Sequence, residues 1–149
     1  MADKRRFELF AAAIVSHFDA PRIFDVAGGM GRLNAALIAL GRKAVTFDRR
    51  HKHLDVEYVL RDFSLDEPCV CDLVVGMHPD GATRVIIEYA ALHRIPFAVV
   101  PCCADNGMSY KPWVRHLIEL AASCGFDVEE VSLPMEGRNR VVLGRPRFV

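Results

Sequence analysis

Residues 22–50, RIFDVAGGMGRLNAALIALGRKAVTFDRR, decide the fold of this 149-residue chain. The stretch opens with a mainly apolar run over 23–27, of the kind that forms a buried strand. A glycine cluster over 28–31 follows, and then a helical run that ends at Gly41. A second apolar run ends in Asp48. This order of strand, glycine turn, helix, strand and acid predicts a parallel-sheet unit that binds an adenosine-bearing cofactor.

The glycine turn suits a ligand because glycine has no Cβ to block a sharp turn or the close approach of another molecule. The free N–H groups at the start of the following helix favour an anionic or polar group. A nicotinamide fingerprint, G-x-G-x-x-G, would match at Gly29 and Gly31 but fails at Asn34. A βαβ turn without any ligand is the remaining structural alternative.

The run DVAGGMG resembles motif I of the class I S-adenosylmethionine (SAM)-dependent methyltransferases, D-x-G-x-G-x-G, with Asp25 as its acid. Ala27 replaces the first glycine, and Gly29 and Gly31 match. The resemblance implies that the loop containing Ala27, Gly28, Gly29 and Gly31 packs under the methionine part of SAM. It also implies that Asp48, with Arg49 beside it, holds the ribose.

Composition favours one soluble globular domain over residues 1–149. The chain is 52% hydrophobic and 26% charged with zero formal net charge, which argues against a protein whose whole surface grips nucleic acid. No apolar run reaches the roughly 18 residues that a membrane span needs, and no signal peptide is evident. Five cysteines without a small-scaffold spacing indicate reduced thiols in a cytoplasmic or nuclear protein.

Hydrophobic spacing predicts an α/β fold: a Rossmann-like, three-layer αβα sandwich. Its seven-stranded sheet is mostly parallel, with helices between the first five strands. The resemblance to the methyltransferases implies an antiparallel hairpin at the C-terminus. Beyond the opening unit, the predicted helices are 4–18, 82–94 and 112–123, and the predicted strands are 58–61, 72–77, 97–100, 126–133 and 140–143.

The carboxyl ends of the strands should gather the functional residues at one edge of the sheet. Asp62 follows the third strand, where the methyltransferase pattern places an acid on the adenine amino group; a helix-capping role is the alternative. Gly76, His78 and Asp80 belong to GMHPDGAT, at the end of the fourth strand and just after it, and Gly76 and His78 are also expected among the cofactor-binding residues. His78 could be a general base, with Asp80 orienting it or binding substrate. Alternatively, His78 bonds a loop carbonyl.

The segments GMHPDGAT and VVPCC together resemble a methyltransferase-like group that includes a tRNA ribose 2′-O-methyltransferase family. Its members carry G-x-H-x-C-G-x-x-T-D and a Cys-Cys pair. Gly76, His78, Gly81 and the pair Cys102-Cys103 match, whereas Asp80 stands where the group has cysteine. The architecture therefore transfers better than the substrate.

Cys102 is also a catalytic candidate, because RNA 5-methylcytosine enzymes place a nucleophilic cysteine after strand five. A packed or substrate-lining thiol is the alternative. A zinc site shared with Cys69 and Cys71 is excluded by the strand that separates the two sheet edges by about 20 Å. We therefore predict no metal.

Basic residues after the second strand provide a candidate RNA contact: Arg49, Arg50 and Lys52. Solvated loop charge is the alternative reading. The leading hypothesis is a minimal SAM-dependent methyltransferase acting on RNA or another macromolecule. The alternatives are a non-catalytic methyltransferase-like partner protein and an NAD(P)-binding oxidoreductase.

Overall fold

A computed structural model describes residues 3–102 and 107–147. Its helices are α1 (Arg6–His17), α2 (Arg32–Ala39), α3 (Thr83–His93) and α4 (Tyr110–Ser123), with a 3₁₀ turn at Asp80–Ala82. Its strands are β1 (Arg22–Val26), β2 (Lys43–Asp48), β3 (Tyr58–Leu60), β4 (Leu73–Met77), β5 (Phe97–Val100), β6 (Phe126–Ser132) and β7 (Arg140–Pro146).

The seven strands form one sheet in the order β3-β2-β1-β4-β5-β7-β6. Strands β1 to β5 pair in parallel, whereas β7 runs antiparallel to both β5 and β6. The predicted fold class is confirmed. The chain reverses its direction of travel across the sheet between β1 and β4, and ligands of such sheets bind beyond the carboxyl ends of the strands at that point.

Two apolar layers cover the sheet. One contains α1 and α2, and the other contains α3 and α4. Every residue of β4 and β5 is buried, as expected for central strands covered on both faces. In β4, Leu73 and Val75 pack into the first layer while Val74 packs into the second. The core therefore fixes the strand register and with it the positions of the loops at the carboxyl edge.

The predicted helices between the first five strands are present in only two of the four connections, as α2 and α3. The β3–β4 connection is irregular and is anchored instead by Phe63. Its ring lies 5.1 Å from the ring of Phe47 and 4.7 Å from that of Tyr89, centroid to centroid. The Tyr89 hydroxyl donates to the carbonyl of Glu67 at 2.8 Å. Aromatic packing thus covers this part of the sheet without a helix.

Within residues 3–102 and 107–147, no helix is both long enough and apolar enough to cross a membrane.

Candidate functional site

The glycine loop after β1 has the geometry that its sequence predicts. Gly29 and Gly31 have φ angles of 58° and 89°, and Ala27 also lies in the left-handed region at 54°. A Cβ on Gly28 would come within 2.2 Å of the Asp25 carboxylate, and one on Gly31 within 2.7 Å of the Val56 side chain. The loop therefore needs its glycines for conformation and for packing.

Asp25 lies under this loop and is fully buried. Thr46 Oγ1 donates to Asp25 Oδ2 at 2.8 Å, and Asn34 Nδ2 donates to Thr46 Oγ1 at 3.0 Å. Asp25 Oδ1 has no hydrogen-bond partner among the described residues. Burial raises the pKa of Asp25 to about 7, an effect that the Thr46 hydrogen bond partly opposes.

Asn34 explains why a third glycine is missing. Its Nδ2 lies within hydrogen-bond distance of the Ala44 and Glu57 carbonyls as well as Thr46, so it ties α2 to β2 and to the residue before β3. Asn34 and Thr46 were not predicted as site residues. The available signal was a polar residue inside an otherwise apolar strand, AVTF, because a buried hydroxyl needs a partner.

Asp48 is held in place at the end of β2 by two backbone donors. Its Oδ2 accepts from Gly29 N at 2.7 Å, and its Oδ1 accepts from Arg49 N at 2.7 Å. Asp48 is only partly buried, and each carboxylate oxygen retains a lone pair for a further donor. The structure thus links the acid after β2 directly to the glycine loop after β1.

Tyr58, at the start of β3, contacts the glycine loop, and His53 packs on Tyr58; neither residue was predicted as part of the site. The Tyr58 hydroxyl donates to the Gly29 carbonyl at 2.6 Å, and the His53 ring stacks on Tyr58 with centroids 3.7 Å apart. Leu54 N donates to the Met30 carbonyl at 2.9 Å. The contacts of Tyr58 with Gly29 and of Leu54 with Met30 join segments that are distant in sequence, so no local pattern indicates them.

The predicted adenine contact, Asp62, forms an exposed ion pair with Arg49 at 2.8 Å. Their side chains are 67% and 76% exposed, respectively, so water screens the pair and it contributes little to stability. A ligand could therefore displace Arg49 from Asp62 at little cost. Arg50 and Lys52 are also exposed, so all three cations of the predicted RNA contact lie on the surface.

Gly76 has a structural reason to be glycine. A Cβ there would lie 2.6 Å from Ile86 Cδ1 and 3.0 Å from Pro79, so the residue allows α3 and its preceding turn to approach β4 closely. His78 and Asp80 follow with φ angles of 48° and 45°, which are strained for residues with a Cβ. Two such residues in a three-residue span mark this loop as a candidate functional segment.

His78 bonds a loop carbonyl, as its alternative reading predicts: Nε2 lies 3.0 Å from the Arg138 oxygen. Because a carbonyl only accepts, Nε2 carries the proton, and in the neutral ring Nδ1 holds the lone pair. Desolvation lowers the pKa of His78, partly offset by the bond to Arg138. The ring is therefore neutral near pH 7 and retains one basic nitrogen. Asp80 is exposed, and its negative charge opposes this lowering of the His78 pKa.

Cys102 is partly buried, two residues after the end of β5. Cys103 lies outside the described residues. Cys71, by contrast, lies before β4. Burial is the largest cause of the raised pKa of its thiol, so Cys71 is not a reactive thiol. Among the residues that the structure describes, no three His, Cys, Asp or Glu side chains are grouped so that they could hold a metal ion.

The fold of this chain is similar to those of solved methyltransferases, some of which hold SAM or S-adenosylhomocysteine. Human N-acetylserotonin methyltransferase in complex with SAM has a TM-score of 0.60 and 16% identity over 91% of this chain. Magnesium protoporphyrin IX methyltransferase from Synechocystis with bound SAM has a TM-score of 0.66 and 13% identity over 93%. Precorrin-6y C5,15-methyltransferase from Geobacter metallireducens has a TM-score of 0.65 and 14% identity over 97%.

The chain therefore has the class I methyltransferase fold. It spans about half of the human enzyme (51%), 77% of the Synechocystis protein and 91% of the Geobacter protein. No protein-family model matches the sequence, and no curated protein matches it either. At these identities the likeness shows the fold alone, and the function depends on the site.

Proposed function

We propose that this chain is a SAM-dependent methyltransferase whose cofactor lies over the carboxyl ends of β1 and β2. The observation that carries the proposal is the Asp48 carboxylate. The glycine-loop N–H of Gly29 and the N–H of Arg49 hold it, yet it remains accessible. An acid fixed in this way is already oriented to accept the two ribose hydroxyls, so little ordering is needed on binding.

The surrounding residues fit the rest of the cofactor. A Cβ on Gly29 would have only one atom within 4 Å, an Arg50 guanidinium nitrogen at 3.8 Å, so the outer side of the loop has room for the methionine part. Asp62 is the candidate acceptor for the adenine amino group once Arg49 moves aside. When bound, SAM supplies an activated methyl group on a sulfonium.

The chain's own chemical contribution is to orient the acceptor and remove its proton. His78 Nδ1 is the candidate base, because the Arg138 carbonyl fixes the ring tautomer through Nε2. Desolvation keeps the ring neutral and thus able to accept a proton. Asp80 and Cys102 remain candidates for substrate contacts.

RNA is the acceptor class that we favour. Arg49, Arg50 and Lys52 form an exposed cationic segment directly after Asp48, beside the proposed adenosine site. Such a segment can contact a phosphate backbone. The test is transfer of a labelled methyl group from SAM to total RNA, compared with total protein and a metabolite extract. Labelled RNA supports the acceptor class, and label found only in another fraction contradicts it.

A non-catalytic methyltransferase-like partner protein is the second candidate. Leu60, Leu65 and Val70 are 47%, 42% and 61% exposed, and all three lie on β3 or in its connection to β4. Exposed apolar residues near a sheet edge suit a protein contact. SAM binding without methyl transfer to any of the three fractions would favour this alternative.

A further inference from the structure

A second basic surface lies near β6 and β7, which are on the opposite side of the strand order from β2. It is located between the start of α4 and the β6–β7 hairpin. A groove of about 290 Å³ is lined there by Tyr110, Lys111, Arg115, Glu130 and Arg140, with Val114 and Ile118 completing its walls. We call this the α4 groove. The predicted RNA contact after β2 does not include any of these residues.

The α4 groove has more positive charge than its own acid neutralises. Arg140 pairs with Glu130 at 2.6 Å, which accounts for one cation and the one acid. Lys111 and Arg115 are exposed, and neither forms an ion pair with another residue in the described part of the chain. Two cations thus remain available to an anion from outside.

The start of α4 adds to this positive potential. Its first turn contains no acid, and Ser109 makes no side-chain cap hydrogen bond. The N-terminal end of a helix favours negative charge, yet the first turn carries Lys111 instead. An external anion would therefore be attracted both by the helix terminus and by the side chains.

Arg138 connects the α4 groove to the candidate base. Its guanidinium carbon lies 4.3 Å from the centroid of the Tyr110 ring, and its carbonyl accepts from His78 Nε2 at 3.0 Å. The Tyr110 hydroxyl also accepts from Arg140 N at 3.1 Å. An anion in the groove would thus lie beside the segment that fixes the His78 ring.

The α4 groove and the basic segment after β2 both lie at the edge of the sheet where the parallel strands have their carboxyl ends. Strand β7 is four strands away from β2 in the sheet order, or about 19 Å at 4.8 Å per strand. The proposed methyl-transfer site lies between them. Two cationic surfaces on either side of one site suit an extended chain of repeated negative charge better than a single small anion.

We propose that the α4 groove binds phosphodiester groups of a single-stranded RNA acceptor and positions the strand beside His78. This inference rests on the proposed methyltransferase function. A guanidinium group can donate two parallel hydrogen bonds to the oxygens of one phosphate, so Arg115 and Arg138 suit this ligand. The groove rim is charged, whereas a protein interface would present an apolar core.

The test measures binding of an unstructured 20-nucleotide RNA to the whole chain by fluorescence anisotropy, over about 50 to 200 mM salt. The variant Lys111→Ala/Arg115→Ala removes the two unpaired cations. The matched control, Lys43→Ala/Arg94→Ala, removes the same charge from exposed positions next to the amino ends of β2 and β5. Thermal melting establishes that each variant is folded, and SAM affinity is measured on each by calorimetry.

We expect the groove variant to bind RNA roughly tenfold more weakly, with a log–log salt slope reduced by about 1.4, while SAM affinity is unchanged. Equal RNA binding by wild type and the groove variant would overturn the inference, as would an equal loss in the control. A glutamate-rich peptide that displaces the RNA as well as unlabelled RNA does would instead identify an acidic protein partner. If the chain does not bind SAM but the groove variant still binds RNA more weakly than wild type, the proposed function is contradicted and RNA binding by the α4 groove is still supported.

Discussion

At the scale of single residues, the buried side chain of Asp25 should make the free energy of unfolding depend on pH. Burial raises its folded-state pKa from 3.8 to about 7. The unfolded chain releases this proton as pH rises through about 4, whereas the folded chain keeps it until about pH 7. The Asp25 contribution to the free energy of unfolding therefore falls between pH 4 and 7, by at most about 4 kcal/mol, and is constant above that range.

The measurement is urea denaturation of wild type and Asp25→Asn across pH 4 to 8. The amide in Asp25→Asn does not titrate, so the difference between the two free energies should change steadily in favour of the variant as pH rises. Asp72→Asn is the control, because the Arg22 side chain lowers the pKa of Asp72 and its contribution is lost only at acid pH. Parallel curves for wild type and Asp25→Asn would show that Asp25 is not buried as described.

In the proposed reaction, methyl transfer should depend on the basic nitrogen of His78. In His78→Gln the side-chain amide can still donate to the Arg138 carbonyl, but it has no basic nitrogen. We expect methyl transfer to fall by about 10² to 10⁴-fold with SAM affinity and melting temperature retained.

The wild-type pH profile provides an independent check on His78. Because desolvation lowers its pKa below 6.5, the acid limb of the rate profile should have its midpoint below pH 6.5. Full activity in His78→Gln would remove the base assignment and leave only the structural bond to Arg138.

At the scale of elements, the glycine loop and the β2–β3 connection form one unit. Gly31 and Gly41 have nearly the same φ, 89° and 85°, but a Cβ on Gly31 meets Val56 whereas one on Gly41 meets nothing within 4 Å. Gly41→Ala should cost about 1–2 kcal/mol from backbone strain alone. Gly31→Ala should cost about 1–3 kcal/mol more, because Val56 must also move.

Urea denaturation of both variants gives these costs, and calorimetry with S-adenosylhomocysteine shows their effect on the site. We expect Gly31→Ala to weaken ligand binding at least tenfold and Gly41→Ala to leave it unchanged. Equal destabilisation of the two variants would mean that Val56 does not pack on the loop.

The elements also show what the sequence could and could not reveal. The strand–glycine–helix–strand unit was predictable because each part has a local signature in the sequence: apolar runs, a glycine cluster and a terminal acid. The irregular β3–β4 connection was not, because Phe63 acquires its role only through contacts with Phe47 and Tyr89, which are distant in sequence. The predicted start of α4 at Pro112 was two residues late, since Pro112 occupies the first turn rather than its first position.

The candidate site likewise contains features that the sequence could predict and features that it could not. The sheet edge was predictable because parallel strands bring their carboxyl ends together, which placed Asp48 and His78 correctly at that edge. The hydroxyl of Tyr58 on Gly29 and the carbonyl of Arg138 on His78 were not, because both join segments whose proximity depends on the whole fold.

At the scale of the whole molecule, the chain has a seven-stranded class I methyltransferase fold. It covers 91% of the Geobacter enzyme but only 51% of human N-acetylserotonin methyltransferase. In the proposed complex, an RNA acceptor contacts the segment after β2 on one side and the α4 groove on the other.

The proposed SAM site consists of the loop after β1 and the acid after β2. Its most direct test is calorimetric titration of the chain with SAM, S-adenosylhomocysteine and NAD. Asp48→Asn removes the charge of the proposed ribose-binding acid, and Asp66→Asn is the control at an exposed acid in the β3–β4 connection.

We predict one-to-one binding of SAM and S-adenosylhomocysteine, no binding of NAD, about a 10- to 100-fold loss of affinity in Asp48→Asn and no change in Asp66→Asn. Absence of binding by both sulfur ligands, or unchanged SAM affinity in Asp48→Asn, would contradict the account.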